Sequence, residues 1–271
     1  MGKIIDVAGL TKRFNSAEGE FEAVRDISFS VEEDGIFAFL GPNGAGKSTT
    51  IKMLTTLLIP TKGSIRINGH DPVADPDAAR RSFGIVFQDP SLDDDLTAFE
   101  NLEFHGVLYD VPKAIRRKRI EELLALVELS DRRDDFVRDY SGGMKRRLEI
   151  ARGLLHHPKI IFLDEPTLGL DAQTRNHLWS YVERLNREEG ITVFFTTHYM
   201  EEAERIAHRI AIIDHGGIIA EGTGAELKER TGAASLEDAF LALTGSAIRE
   251  EGGSSLERMR QAGALHRGVR R

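Results

Sequence analysis

The run Gly41-Pro42-Asn43-Gly44-Ala45-Gly46-Lys47-Ser48 has the residue types and spacing needed to grip a chain of phosphates. Glycines let successive backbone N–H groups turn inward without Cβ clashes, and a helix that follows points its positive end at the same spot. Lys47 adds a mobile cation for the β- and γ-phosphates, and Ser48 a hydroxyl ligand for Mg²⁺. The loop sits between an apolar run, Ile36–Leu40, and a helical pattern opening at Thr49. That strand, loop and helix context separates a phosphate cradle from a glycine-rich surface turn, and the ligand it implies is a nucleoside triphosphate.

A phosphate loop serves kinases, GTPases and motors alike, so the reaction has to be read from other residues. Ile160-Ile161-Phe162-Leu163 is an apolar strand that ends in two adjacent carboxylates, Asp164 and Glu165. Beside a phosphate loop, Asp164 is suited to the Mg²⁺ shell and Glu165 to orienting and deprotonating an attacking water. Farther back in the chain, Ser141-Gly142-Gly143 precedes a helix with Leu148, Ala151 and Leu155 on one face. Ser141 is a natural N-cap, and the free N–H groups behind it make a second anion site.

The elements that must hold these residues alternate between strand and helix. Ile36–Leu40, Gly84–Gln88, Ile160–Asp164, Ile191–Thr197 and Ile210–Asp214 are short, β-branched or aromatic runs expected as buried strands of an α/β core. Ile4–Leu10, Val24–Val31 and Ser64–Asn68 have the alternation of half-exposed antiparallel strands. Between Pro90 and His157 the strand signals stop, and amphipathic patterns at Phe99–Tyr109, Ala114–Val127 and Met144–Leu155 predict an inserted helical block. Residues 1–240 are expected as one nucleotide-binding domain and 241–271 as a flexible tail, with Gly252–Ser255 a link within it.

Composition narrows the partners. The 271 residues include 44 acidic and 36 basic side chains, a formal charge of -8, which argues against a duplex-DNA binder held by counterion release. There are no cysteines, excluding disulfides, thiolate zinc sites and cysteine nucleophiles. No stretch approaches the roughly 18 consecutive apolar residues of a membrane span, so work at a membrane requires a partner that has one. The run Lys113, Arg116, Arg117, Lys118, Arg119 is expected as a solvated helix face.

Taken in order, these motifs resemble those of ABC-transporter ATPases from about Ile4 to Thr244. The resemblance implies a P-loop NTPase (RecA-like) core with an N-terminal antiparallel β subdomain and an inserted α-helical subdomain. It makes Phe14 similar to the aromatic that stacks on adenine, Gln88 to the residue sensing Mg²⁺ and the attacking water, Gly169-Leu170-Asp171 to the D-loop, and His198 to the switch histidine on the γ-phosphate. From residue type alone, Phe14 is equally a core side chain, Gln88 a surface amide and His198 a satisfied imidazole. The family mechanism implies ATP and Mg²⁺ as cofactors and a head-to-tail dimer with a second, identical or paralogous ATPase subunit. One phosphate loop and the other copy's Ser141–Gly143 helix then close on one ATP. Two positions depart from the family signature, Met144 where glutamine is commonest and Tyr140 instead of leucine. Tyr140–Ala151, Gln88–Asp93 and Ser235–Phe240 together resemble the type-2 exporter branch, which includes daunorubicin-resistance and nodulation-factor export ATPases. That branch implies an ATPase subunit at the cytoplasmic face of the membrane, working with separately encoded transmembrane permease subunits and no nucleic acid. The alternative class, a non-transport ABC ATPase acting on DNA or the ribosome, calls for long coiled coils or tandem cassettes, neither of which this sequence has.

Overall fold

Residues 2–16 and 19–245 are described by the computed structural model. The expectations for the glycine-serine link and for the tail past residue 245 lie outside the described residues. Six strands form one sheet in the order β5-β6-β7-β3-β8-β9: β3 (Ile36–Leu40), β5 (Phe83–Val86), β6 (Ile160–Asp164), β7 (Thr192–Thr197), β8 (Arg209–Asp214) and β9 (Gly217–Gly222). All neighbours run parallel except β9, which closes the edge antiparallel to β8. A separate antiparallel sheet has the order β2-β1-β4, from β1 (Lys3–Ser16), β2 (Gly19–Glu32) and β4 (Lys62–Ile67). Among the described residues no helix is long and apolar enough to cross a membrane.

The period-2 alternation of strand side chains divides the core into two layers. Ile36, Ala38, Leu40, Ile161, Leu163, Val193 and Phe195 join the layer that contains the helical block. Phe37, Phe39, Ile160, Phe162 and Phe194 join the other layer, under the antiparallel sheet. Both faces are apolar because both are covered, as a parallel sheet requires. Phe194 is the hub of the second layer, with ring centroids 5.5 Å from Phe37, 5.5 Å from Phe162 and 5.8 Å from Phe39.

Between β5 and β6 lie α3 (Ala98–Leu108), α4 (Lys113–Leu126) and α5 (Gly142–Leu154). α3 opens with a capping box, Thr97 accepting from the Glu100 N–H while Glu100 accepts from the Thr97 N–H. α5 belongs as much to the core as to the inserted block, because it lies backbone to backbone on β5: a Cβ on Gly84 would stand 2.1 Å from the Gly153 carbonyl oxygen. The other helices are α1 (Lys47–Leu54), α2 (Pro76–Arg81), α6 (Ala172–Glu189), α7 (Met200–Ile206), α8 (Gly224–Thr231) and α9 (Leu236–Thr244).

Several boundaries differ from the sequence reading. The β5 strand stops at Val86 and leaves Gln88 beyond it, since the Phe87 carbonyl is taken by the Arg146 guanidinium and not by a neighbouring strand. β1 and β2 run farther than Ile4–Leu10 and Val24–Val31, so Phe14 pairs with Phe21 inside the hairpin. Residue 241 does not begin the tail, because α9 continues to Thr244 and ends on a left-handed Gly245. The basic run is not wholly solvated: Arg116 reaches Glu103 at 2.7 Å and Arg119 reaches Glu189 at 2.6 Å, both arginines buried.

Phe194→Ala is expected to destabilise the protein by about 3–5 kcal/mol, the range for emptying a buried aromatic site. A urea titration checks it through a lower midpoint at an unchanged slope.

Candidate active site

Strand register sets the site. Leu40 of β3 pairs with Thr197 of β7, and Asp164 of β6 pairs with Thr196, so the phosphate loop, the acidic pair and His198 leave the sheet at its carboxyl edge. Ligands of open α/β sheets bind outside that edge. The loop turns into α1 at Gly46, whose φ of 109° and whose approach to the Ala23 carbonyl, 2.6 Å from an added Cβ, exclude any side chain. The first N–H groups of α1, from Lys47, Ser48 and Thr49, have no intrahelical partner.

Lys47 is buried inside its own loop, where its ammonium donates to the carbonyls of Gly41 at 2.7 Å and Pro42 at 3.2 Å. It also lies 3.1 Å from Glu165 Oε1. Burial lowers the Lys47 pKa, and Glu165 and Asp164 oppose that shift. On its other oxygen, Glu165 meets His198 Nδ1 at 3.2 Å. Burial alone would raise the Glu165 carboxyl, but the imidazole hydrogen bond and the Lys47 ammonium together hold it down at about 2. Glu165 is therefore an anion between two basic groups.

Asp164 Oδ1 accepts from Thr196 Oγ1 at 2.6 Å and from Ser48 Oγ at 3.3 Å, while among the described residues its Oδ2 accepts no hydrogen bond. Burial pushes this carboxyl up, and the two hydroxyls restrain it. A half-used buried carboxylate beside a serine hydroxyl is a hard-oxygen donor set, the kind a magnesium ion takes.

The sequence reading missed Thr196. Its hydroxyl donates to Asp164 and accepts from the Glu165 N–H at 2.9 Å, so one side chain aligns both acidic residues. Its signal in the sequence is weak, one of three threonines in β7 beside Thr192 and Thr197, 32 residues from its acceptor.

Other expected residues stand apart. Ser141 caps α5, its Oγ accepting from the Met144 N–H at 3.2 Å, and makes no hydrogen bond to its own phosphate loop. Gly142 beside it is exposed, and a Cβ there would meet nothing within 4 Å, whereas one on Gly143 would strike Thr174. Phe14 stacks on Phe21 with centroids 5.5 Å apart. Asp171 caps α6 through the Thr174 N–H and hydroxyl. Gln88 is exposed and bonds to none of Lys47, Asp164 or Glu165. Both signature departures are absorbed: the Tyr140 hydroxyl donates to the Arg132 carbonyl at 2.6 Å, and Met144 packs on the core.

With this geometry, residues 24–168 match the ABC transporter family. The chain belongs to that family. The chain is 45% identical to the daunorubicin/doxorubicin resistance ATP-binding protein DrrA of Streptomyces peucetius, over 85% of this chain and 68% of that protein. It is 42% identical to the Nod factor export ATP-binding protein I of Ralstonia nicotianae, over 83% and 68%. Its fold matches the dimeric post-hydrolysis state of the ATP-binding cassette MJ0796 bound to ADP and Pi, with a TM-score of 0.72, 29% identity and coverage of 81% of this chain and 98% of that one. These relatives bear out the resemblance to the exporter branch that Tyr140–Ala151, Gln88–Asp93 and Ser235–Phe240 together carry.

Thr196→Val is expected to cost about 1–3 kcal/mol, because it leaves the buried Glu165 N–H without an acceptor. Chemical denaturation of the isosteric variant checks this.

Proposed function

We propose that this chain is the ATP-hydrolysing subunit that energises export of a substrate across a membrane through separately encoded transmembrane subunits. The observation that carries the reading is the meeting of Lys47, Ser48, Asp164, Glu165 and His198 within successive contacts of 3.1 to 3.3 Å at the end of one sheet. The names of the relatives, for drug resistance and Nod factor export, supply the direction of transport.

The phosphates of ATP lie in the Gly41–Thr49 loop against the free N–H groups of α1, and the γ-phosphate draws Lys47 off the Gly41 and Pro42 carbonyls and away from Glu165. Glu165 then loses one of its two basic neighbours and becomes a stronger base. In that state it orients a water and takes its proton as the water oxygen bonds to the γ-phosphorus and the bond to the bridging oxygen breaks, giving ADP and phosphate. His198, on Glu165 through Nδ1, is placed to contact the γ-phosphate. Ser48, Asp164 through its uncommitted oxygen, and Gln88 once its loop brings it in, are the residues that would hold Mg²⁺. Among the described residues no group of three or more His, Cys, Asp or Glu is placed to hold a metal ion; magnesium takes few protein ligands and completes its shell with phosphate and water. When bound, that ion neutralises charge on the transferring phosphoryl group. Phe14, backed by Phe21, offers the adenine a ring to stack on.

Ser141, Gly142 and Gly143 grip the nucleotide of a second ATPase subunit. Gly142 is exposed, and a Cβ there would meet nothing within 4 Å among the described residues, which leaves room for that nucleotide. Two half-sites per protomer require a head-to-tail dimer that ATP holds shut and hydrolysis releases. The transmembrane subunits dock at the cytoplasmic face on α3 and α4, where Phe104, Val107, Leu108 and Ile115 are exposed.

Glu165→Gln is expected to keep ATP binding, lower phosphate release by at least about 10²-fold and accumulate a nucleotide-bound dimer on size exclusion with Mg-ATP. Undiminished release of phosphate, or transfer to an acceptor in place of release, overturns the assignment. Phe104→Glu with Leu108→Glu is expected to leave hydrolysis by the isolated subunit within about twofold of wild type while abolishing recovery with membranes that contain its permease.

A further inference from the structure

We propose that Arg146 is a positioning residue for hydrolysis, tying the turn at Glu165 and the loop at Gln88 to the helix that carries Ser141. The inference rests on the reading of Glu165 as the water-activating base and adds a group that acts through it.

Arg146 lies one turn into α5, and its buried guanidinium has all five N–H groups matched. Nε donates to the Pro166 carbonyl at 2.8 Å, and Nη2 to the carbonyls of Asp164 at 3.1 Å and Glu165 at 3.2 Å. Nη1 donates to the Phe87 carbonyl and to Glu149 Oε2, the latter at 3.1 Å. Four of the five acceptors are thus main-chain oxygens in the two segments that carry Asp164, Glu165 and Gln88.

The turn needs such a hold. Glu165 has a φ of 45°, a left-handed backbone that a residue with a side chain adopts only when its surroundings impose it. Thr196 holds that peptide by its N–H and Arg146 by its carbonyl, so between them they aim the carboxylate. The counter-charge extends the same linkage. Glu149 is fully buried, and its Oε1 accepts from the Ser91 N–H at 2.8 Å. The Gln88 loop is therefore held before the glutamine through Phe87, by Arg146, and after it through Ser91, by Glu149 and by Arg152, whose guanidinium donates to the Ser91 carbonyl at 2.6 Å; all three lie on one helix. That helix cannot drift from the strand leading into the loop, because of the Gly84–Gly153 contact. Movement of α5, when its N-terminus engages a partner's nucleotide, shifts the base and the Gln88 loop together.

Arg146→Lys keeps the charge but supplies three donors from one nitrogen, too few for five acceptors spread over a planar fork. Measured beside wild type and normalised to nucleotide-binding sites, it is expected to lower kcat by about 10–100-fold while KM for ATP stays within about twofold. Glu149→Gln, which keeps the shape and loses the counter-charge, is expected to lower kcat by about threefold or more with KM likewise unchanged. Wild-type kcat in either folded variant overturns the inference. So does a KM that worsens as much as kcat falls, which is the mark of a merely structural residue. Wild-type protein that releases no phosphate retracts the ATPase reading and this inference with it, whereas active wild type beside unaffected variants retracts the inference alone.

Discussion

Parallel pairing of β3, β7 and β6 is the constraint on which the rest depends. With Leu40 beside Thr197 and Thr196 beside Asp164, three connections leave the sheet at the same level, and the groups they carry meet without long loops. A one-residue slip of any of these strands would send its core residues to the wrong layer and its chemistry to the wrong face. The phenylalanines at 37, 39, 162 and 194 oppose that slip, since each fills a place under the antiparallel sheet that the residue before or after it does not fill. Packing far from the nucleotide thereby specifies the spacing of ångström-scale contacts at the edge.

Given that edge, the charges regulate one another. Lys47 and Glu165 are both nearly inaccessible to water, and neither is tolerable there as an isolated ion. Each neutralises the other, and with Lys47 and His198 beside it the carboxylate is a weak base. On the mechanism proposed above, the group that weakens the base is the same one a phosphate removes.

Much of this was legible in the order of residues. The glycine-rich loop and the acidic pair each follow an apolar strand, the family resemblance adds the histidine after β7, and the structure brings all three to one edge of the sheet. Short elements were harder: β9 is flanked by glycines and half-exposed, and α2 has only six residues, too few for a helical period to show. The sequence puts Gln88 in a strand because Gly84–Gln88 is a continuous run, but an arginine 59 residues beyond Phe87 ends that strand by claiming the Phe87 carbonyl. Thr196 and Arg146 escaped for the same reason. Their importance lies in which distant main-chain groups they meet, and the identity of one side chain does not disclose that.

The glycine pair at 84 and 153 has a consequence for how the molecule comes apart. Because strand and helix touch through their backbones, with no side chain between to act as a sliding layer, they share a single opening event. The Ser141 end of α5, tied through Arg146 to the carbonyls of Asp164 and Glu165 after β6, therefore opens together with the central sheet.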